Sequence, residues 1–267
     1  MGQAYGMTDV GMTRSSNEDN FLINHELGII LIGDGMGGHE AGEVASAEAL
    51  LAVCDFIKKI NPPQQNSDFY TPTCSSAHDP LYDPDATLSN DTMPIVMRLY
   101  DAVEFANSML YAQNLAKNNE EGCGMGTTLT GFWQVKKDGP VVFFHVGDSR
   151  LYRYREGELS QLTRDQTLYQ QAIEQGMLED LPPRNKLLQA VGPSAYINPE
   201  VRPVQLQADD LYLFCTDGLH GSVPHGLIAD ILSKTHTQNL DQSCSELISL
   251  SKEHGSQDNI TVVLLAC

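Results

Sequence analysis

A strand that runs into a glycine-rich turn with a central aspartate constrains the fold of this chain more than any other feature. The apolar run Ile29–Ile32 is followed directly by Gly33-Asp34-Gly35-Met36-Gly37-Gly38. The apolar run predicts a buried strand, and the glycine-rich stretch predicts that the strand ends there. An alanine-rich helix is predicted over residues 41–60, before Asn61-Pro62-Pro63. Asp34 is therefore expected in a loop that a rigid core strand carries.

The remaining pattern mixes strands with paired helices. Strands are predicted over residues 3–11, 20–33, 128–135, 141–146, 151–154, 159–162, 201–206, 211–214 and 260–265. Further helices are predicted near residues 92–118, 166–176, 225–233 and 241–254. Because no repeat or linker divides the chain, we expect one domain over residues 1–267, with packed sheets inside and helices outside. The polar stretch 61–91, which contains several prolines, is expected to be a long surface loop.

Composition argues against several classes of protein. The formal net charge is -19, so the chain repels nucleic acid and anionic membranes, and neither is an expected partner. No apolar run reaches about 18 residues, and no basic region with a following apolar stretch opens the chain, so neither a membrane span nor a secretory signal is predicted. The six cysteines form no C-x-x-C pair, which predicts free thiols. A cytoplasmic location is the resulting expectation.

Acidic clusters lie beside strong apolar strands at four places in the chain. They are Arg14-Ser15-Ser16-Asn17-Glu18-Asp19, Asp34-Gly35-Met36-Gly37-Gly38-His39, Thr216-Asp217-Gly218 and Gln257-Asp258-Asn259. Carboxylates that meet in a fold need a cation to offset their repulsion, and hard divalent cations prefer oxygen ligands. Such cations also lower the pKa of a bound water and so provide a nucleophile at neutral pH. The planar fork of Arg14 suits a phosphate group.

Each of these features also has a plainer interpretation. Asp-Gly is a common turn, Asp258-Asn259 could cap or turn the chain, and Arg14 could be a surface charge. The stretch Gly147-Asp148-Ser149-Arg150 could be a hairpin end with a buried, hydrogen-bonded aspartate. Spacing alone makes a carboxylate metal site plausible and leaves its metal and its substrate open.

Six motifs in a characteristic order carry a resemblance to a known family. They are Arg14-x-x-Asn17-Glu18-Asp19-Asn20, Asp34-Gly35-Met36-Gly37-Gly38, Gly126-Thr127-Thr128, Val146-Gly147-Asp148-Ser149-Arg150, Cys215-Thr216-Asp217-Gly218-Leu219 and Asp258-Asn259-Ile260-Thr261. The chain resembles the PPM family of metal-dependent protein phosphatases, the type 2C class, in its compact bacterial form. The resemblance implies an α+β fold, a four-layer α-β-β-α sandwich with two central antiparallel sheets flanked by helices. It also implies hydrolysis of phosphoserine and phosphothreonine on proteins, in opposition to a bacterial serine/threonine kinase.

The resemblance further implies a metal centre of two Mn²⁺ or Mg²⁺ ions. Asp34 would bridge the two ions, and the carbonyl of Gly35 would bind one of them. Asp217 and Asp258 would complete the other site. Glu18 would act through metal-bound water. A hydroxide between the metals would attack phosphorus in line with the leaving oxygen.

Other positions are assigned supporting roles by the same resemblance. Arg14 would hold the substrate phosphate and would count with Asp34 as a catalytic residue. Asp19, Asp148 and Asn259 would support the site. Residues 163–200, called the flap below, would lie beside the active site and influence the choice of substrate.

Two departures from the family pattern concern the metal centre. Met36 stands where many eukaryotic members have a histidine that is proposed as the general acid, so a metal-bound water would protonate the leaving group, and His39 is expected to be structural. Cys123 stands where bacterial relatives often have an aspartate that helps to hold a third metal. Glu120 or Glu121 would have to replace that aspartate for a third ion to bind.

A third departure lies at the start of the flap. The chain has Asp165-Gln166-Thr167 where the family often has Asp-His-Ser, so no histidine is expected to contribute from the flap. Two other functions are open: a module that binds phosphoproteins without turnover, and a hydrolase of small phosphate esters. Retention of Asp34, Asp217 and Asp258 argues against the first, and a closed pocket under the flap would favour the second.

Overall fold

The computed structural model describes residues 2–37, 40–60, 92–117, 123–136 and 139–267. The predicted surface loop 61–91 lies outside these ranges, as do His39, Glu120 and Glu121. The strands are β1 (Gln3–Asp9), β2 (Asp19–Asn24), β3 (Ile29–Met36), β4 (Gly126–Thr127), β5 (Leu129–Gln134), β6 (Val141–Val146), β7 (Arg150–Arg155), β8 (Glu158–Gln161), β9 (Glu200–Val204), β10 (Leu211–Cys215) and β11 (Ile260–Ala266). The helices are α1 (Glu40–Ile60), α2 (Met93–Ala116), α3 (Leu168–Glu174), α4 (Asp217–His220), α5 (His225–Leu232) and α6 (Leu240–Glu253).

The strands form two antiparallel sheets that pack face to face. The first sheet has the order β1-β11-β10-β7-β8, and the second has the order β2-β3-β5-β6-β9 with β4 paired to β3. Helices α1 and α2 cover the second sheet, and α5 and α6 cover the first. A third apolar cluster, to which both sheets contribute, lies between them. The predicted four-layer α-β-β-α sandwich is therefore confirmed.

Strand β3 is covered on both faces, which is why its apolar run is continuous rather than alternating. Ile29 and Leu31 belong to the cluster under α1 and α2, whereas Ile30 and Ile32 belong to the cluster between the sheets. Successive side chains of a strand point to opposite faces, and both faces of this strand are covered. All four residues are fully buried, which fixes the strand that leads to Asp34.

The predicted end of this strand is wrong by several residues. Strand β3 continues through the glycines to Met36, and its Gly35 N–H donates to the carbonyl of Glu18 at 3.1 Å. A Cβ atom on Gly35 would lie 2.0 Å from the carbonyl oxygen of Gly42 in α1. The glycine therefore permits close approach of two backbones within a strand, rather than breaking the strand as the sequence pattern suggested.

Two helices also differ from expectation. The predicted helix near 166–176 is the shorter α3, because Thr167 is extended and accepts a hydrogen bond from the N–H of Gln170 as a helix cap. The short helix α4 directly follows β10 and was not predicted. No helix in the described ranges is long and apolar enough to cross a bilayer.

Candidate active site

A cavity of about 230 Å³ opens where the ends of both sheets meet. Its described lining consists of Arg14, Glu18, Asp34, Gly35, Met36, Gly37, Thr128, Asp148, Asn185, Leu187, Asp217 and Asp258. The second sheet contributes Asp34 at the end of β3, and the first contributes Asp217 after β10 and Asp258 before β11. Residues that are far apart in sequence thus share one cavity.

The Gly-Thr-Thr motif holds the backbone of Asp34. The N–H of Asp34 donates to Oγ1 of Thr128 at 2.9 Å, and the N–H of Thr128 donates to the carbonyl of Asp34 at 2.9 Å. Oγ1 of Thr127 donates to the same carbonyl at 3.0 Å. Because both backbone polar groups of Asp34 are bonded, its carboxylate projects into the cavity from a fixed position.

Asn259 organises the loop that leads into β2. Its Oδ1 accepts a hydrogen bond from the N–H of Glu18 at 2.8 Å. Its Nδ2 donates to the carbonyls of Val10 and Ser16 at 3.0 and 2.9 Å. Asn259 does not line the cavity in the described structure, but it fixes the segment that carries Arg14 and Glu18.

Asp19 lies beneath the cavity and links the two sheets. It is 3% exposed, and its Oδ2 accepts a hydrogen bond from Oγ1 of Thr216 at 2.8 Å. Asp19 is part of β2, whereas Thr216 follows β10. Burial raises the pKa of the Asp19 carboxyl to about 7, against the hydrogen bonds that lower it.

The carboxyl groups around the cavity are strongly perturbed. Burial, and then repulsion from neighbouring carboxylates, raises the pKa of Asp34 well above its ordinary value. Burial, and to a smaller extent the negative charge of Asp217, raises the pKa of Asp148 to about 7. Burial, and to a smaller extent the negative charge of Asp258, raises the pKa of Asp217 to about 6. A hydrogen bond with Asp34 opposes that increase. The site therefore holds more negative charge than its own side chains can neutralise.

The donor set suits a hard divalent cation. Oδ1 of Asp19 and Oδ1 of Asp217 are buried and have no hydrogen-bond partner in the described part of the chain. Arg14 is the one basic side chain in the described lining, and its Nη2 is 2.7 Å from Oδ2 of Asp258. Oxygen-only ligands with unneutralised charge are typical of Mg²⁺ and Mn²⁺ sites.

The described side chains do not form a ready-made ion site. Within the ranges given above, no group of three or more His, Cys, Asp or Glu side chains is arranged to hold a metal ion as it stands. Asp258 is turned toward Arg14, and Asp19 is turned toward Thr216. The carboxylates of Asp34, Asp217 and Asp258 therefore share one cavity, whereas the identity of the metal ligands stays a prediction.

Three further residues of the cavity were not singled out from sequence as site residues. Thr128 belongs to the Gly126-Thr127-Thr128 motif, but the sequence pattern did not predict its hydrogen bond with Asp34. Asn185 and Leu187 belong to the flap and reach the cavity from it. Cys123 is exposed and is not part of the described lining.

Comparison with known proteins extends over almost the whole chain. The family model described as Protein phosphatase 2C matches residues 13–261. The serine/threonine phosphatase stp of Listeria welshimeri serovar 6b is 31% identical over 266 residues, which cover 97% of this chain and 93% of that protein. The crystal structure of the Mycobacterium tuberculosis serine/threonine phosphatase PstP/Ppp superposes with a TM-score of 0.76 at 28% identity and covers 99% of each chain. The catalytic domain of the phosphatase PstP in complex with two manganese ions gives a TM-score of 0.74 at 29% identity, over 98% of this chain and 96% of that one.

Proposed function

Because this chain belongs to the protein phosphatase 2C family, we propose that the cavity between its two sheets is the active site of the enzyme. The protein is a metal-dependent protein serine/threonine phosphatase. The observation that carries the location of the site is the convergence of Asp34, Asp217 and Asp258 on one cavity. Their excess negative charge supports this location, since it calls for bound cations.

Asp34, Asp217 and Asp258 would hold two divalent cations, together with the carbonyl of Gly35 and, through water, Glu18. Bound Mn²⁺ or Mg²⁺ would supply an activated water and would offset charge on the phosphoryl group. The chain's own contribution is to hold the backbone of Asp34 in place before substrate arrives, through its hydrogen bonds with Thr127 and Thr128. Asp148, in the described lining of the cavity, and Asp19 and Asn259, outside that lining, would support this arrangement.

Arg14 would bind and orient the phosphate at the mouth of the cavity. Its side chain is half exposed, and its contact with Asp258 uses Nη2. The other guanidinium N–H groups can donate to phosphate oxygens. Met36 adds an apolar surface beside this position and no exchangeable proton, so protonation of the leaving oxygen must come from elsewhere.

The substrates are phosphorylated proteins, and we propose that a bacterial-type serine/threonine kinase supplies them in the cytoplasm. The cavity of about 230 Å³ is smaller than the roughly 300–1,000 Å³ of most small-molecule sites, and it would hold the phosphoryl group together with the cations. The rest of a protein substrate would then lie outside the cavity, against the flap. Net charge supports the exclusion of nucleic acid and anionic membranes as partners.

The test is hydrolysis of p-nitrophenyl phosphate and of a phosphothreonine peptide by purified protein with Mn²⁺. We expect turnover of both, and we expect Asp34→Ala to abolish it while Asp230→Ala, a change at an exposed position of α5, leaves it intact. Full activity in excess chelator would refute metal dependence. Phosphopeptide binding without turnover would instead identify a docking module.

A further inference from the structure

The flap consists in part of two paired arms that end at the active-site cavity. The first arm is residues 165–168 and the second arm is residues 186–189. The N–H of Leu168 donates to the carbonyl of Lys186 at 2.9 Å, and the N–H of Leu188 donates to the carbonyl of Gln166 at 2.7 Å. Leu187, in the second arm, lines the cavity with its neighbour Asn185. The position of the arms therefore sets the shape of the cavity mouth.

Gln166 attaches the first arm to the turn that carries Asp148. Its Oε1 accepts a hydrogen bond from the N–H of Gly147 at 2.8 Å, and its main-chain N–H donates to the carbonyl of Gly147 at 2.8 Å. Both backbone polar groups of Gly147 are thus bonded to one flap residue. Gly147 has a φ of 104°, and a Cβ atom there would lie 2.6 Å from Cγ2 of Thr128. A residue in this left-handed conformation depends on its neighbours to hold it.

Gln166 also reaches the second arm. Nε2 of Gln189 donates to Oε1 of Gln166 at 2.9 Å and to the carbonyl of Asn198 at 2.8 Å. The N–H of Asn198 returns a bond to Oε1 of Gln189 at 3.0 Å. One buried amide oxygen therefore joins the Gly147 turn, the first arm and the second arm.

His145, in strand β6 just before Gly147, holds the start of the flap. Its Nε2 donates to the carbonyl of Arg164 at 3.1 Å. A carbonyl only accepts, so the proton is on Nε2, and Nδ1 accepts from Oγ1 of Thr130 at 2.8 Å. Burial lowers the pKa of His145 to about 4, so this contact is uncharged at neutral pH. Main-chain contacts at Arg164 therefore position the segment that leads to Gln166.

We propose that Gln166 is a positioning residue that adapts this phosphatase to protein substrates by tying both arms of the flap to the Gly147-Asp148 turn. A glutamine amide accepts from two donors here without carrying charge among buried carboxylates. The inference rests on the proposed function, because it assigns the flap to the part of a protein substrate outside the cavity. A small aryl phosphate has no such part, so its turnover should depend on the position of the flap less than turnover of a protein substrate does.

The experiment compares Gln166→Met with the wild type on two substrates and by proteolysis. Methionine keeps the length of the side chain and removes the amide, that is, the accepting Oε1 and the Nε2 that donates to the carbonyl of His145 at 3.4 Å. We expect kcat/KM for a phosphothreonine peptide to fall roughly five- to tenfold relative to that for p-nitrophenyl phosphate, mainly through KM. Trypsin should also cleave faster after Arg184 and Lys186, two exposed basic residues of the flap. The control is Gln171→Met, the same change at an exposed position of α3.

Gln189→Met is the second variant, because it removes the side-chain bond between Gln166 and the second arm, together with the bonds of Gln189 to Asn198, and leaves Gly147 bonded. It should change the substrate ratio and the tryptic rate in the same direction, and the double variant should show less than the sum of both effects. If Gln166→Met does not fold, Gln189→Met alone tests whether this side-chain bond positions the flap. Equal loss on both substrates with an unchanged tryptic rate would overturn the inference. A wild type without any turnover would overturn the proposed function instead, and proteolysis would still test the flap.

Discussion

We expect Arg14 to serve two partners in this cavity, the carboxylate of Asp258 and the phosphate of the substrate. Its Nη2 is 2.7 Å from Oδ2 of Asp258, and this contact raises the pKa of the guanidinium. Half of the side chain is still exposed, which leaves the guanidinium accessible from solvent. An arginine that is held by one carboxylate is already oriented, which lowers the entropy lost when substrate binds.

Replacement of Arg14 tests this role. We expect Arg14→Ala to raise KM for p-nitrophenyl phosphate roughly tenfold or more, with a smaller change in kcat, because one or two charge-assisted hydrogen bonds to phosphate are lost. Arg14→Lys keeps the charge without the fork and should give an intermediate KM. Mn²⁺ has to be saturating for each variant, since Arg14 also contacts Asp258. An unchanged KM in Arg14→Ala would remove its phosphate-binding role.

Strand β3 and helix α1 show how glycines shape an element rather than end it. Gly35 lies within a strand, where its missing side chain leaves room for the carbonyls of Gly42 and Glu18. The neighbouring Asp34 therefore lies where β3 packs closely against α1 and against the segment that precedes β2. Close backbone packing gives the aspartate little freedom to move, which favours a precise ligand position.

Substitution of Gly35 by alanine tests this packing. A Cβ atom would lie 2.0 Å from the Gly42 carbonyl oxygen and 2.6 Å from that of Glu18. We expect Gly35→Ala to lower the free energy of unfolding by roughly 2–4 kcal/mol, since backbones have to separate. Gly226→Ala in α5 is the control, because nothing lies within 4 Å of its Cβ position and alanine favours helix by about 1 kcal/mol. Equal urea midpoints for the two variants would contradict the expectation.

At the scale of the whole molecule, the proposed active site lies at the seam between the two sheets. Asp34 comes from the second sheet, whereas Asp217 and Asp258 come from the first. Their mutual repulsion, in a chain of net charge -19, opposes the packing of the sheets. Bound cations would remove that repulsion and link the two layers, so stability and metal binding should be coupled.

Thermal unfolding with and without Mn²⁺ measures this coupling. Saturating Mn²⁺ should raise the Tm of the wild type and leave that of Asp34→Asn nearly unchanged. In chelator at pH 8, Asp34→Asn should melt roughly 2–6 °C above the wild type, because folding no longer has to bury the Asp34 carboxylate or to protonate it. Asp230→Asn, at an exposed position of α5, is the control. A lower Tm for metal-free Asp34→Asn would contradict this account.

The same experiment has a predicted dependence on pH. The pKa of Asp34 is raised in the folded state, by burial and then by its neighbours. The unfolded state therefore ionises first as pH rises from about 4, and the wild type loses stability until pH passes the folded pKa. The advantage of Asp34→Asn should accordingly shrink as pH is lowered toward 4 and reach its full size above the folded pKa.

Local pattern was sufficient for most elements and for the identity of the motifs. Alternating and continuous apolar runs predicted the core strands and the main helices, because side-chain periodicity reflects which faces are covered. The motif order was enough to predict the family and the four-layer fold, which the structure and the comparisons confirm. Residue roles in the site, and a single domain over residues 1–267, stay predictions.

Contacts between distant segments were decided only by the packing of the two sheets. The glycine-rich pattern around Gly35 predicted a loop. The strand continues there because the backbones of Glu18 and Gly42 pack closely against it, and this packing has no signal in the local sequence. The bonds of Gln166 to Gly147 and Gln189 had no local signal, since they depend on where the flap folds back. The meeting of Asp34 with Asp217 likewise depends on the order of strands in two sheets, which a periodic pattern along one chain does not encode.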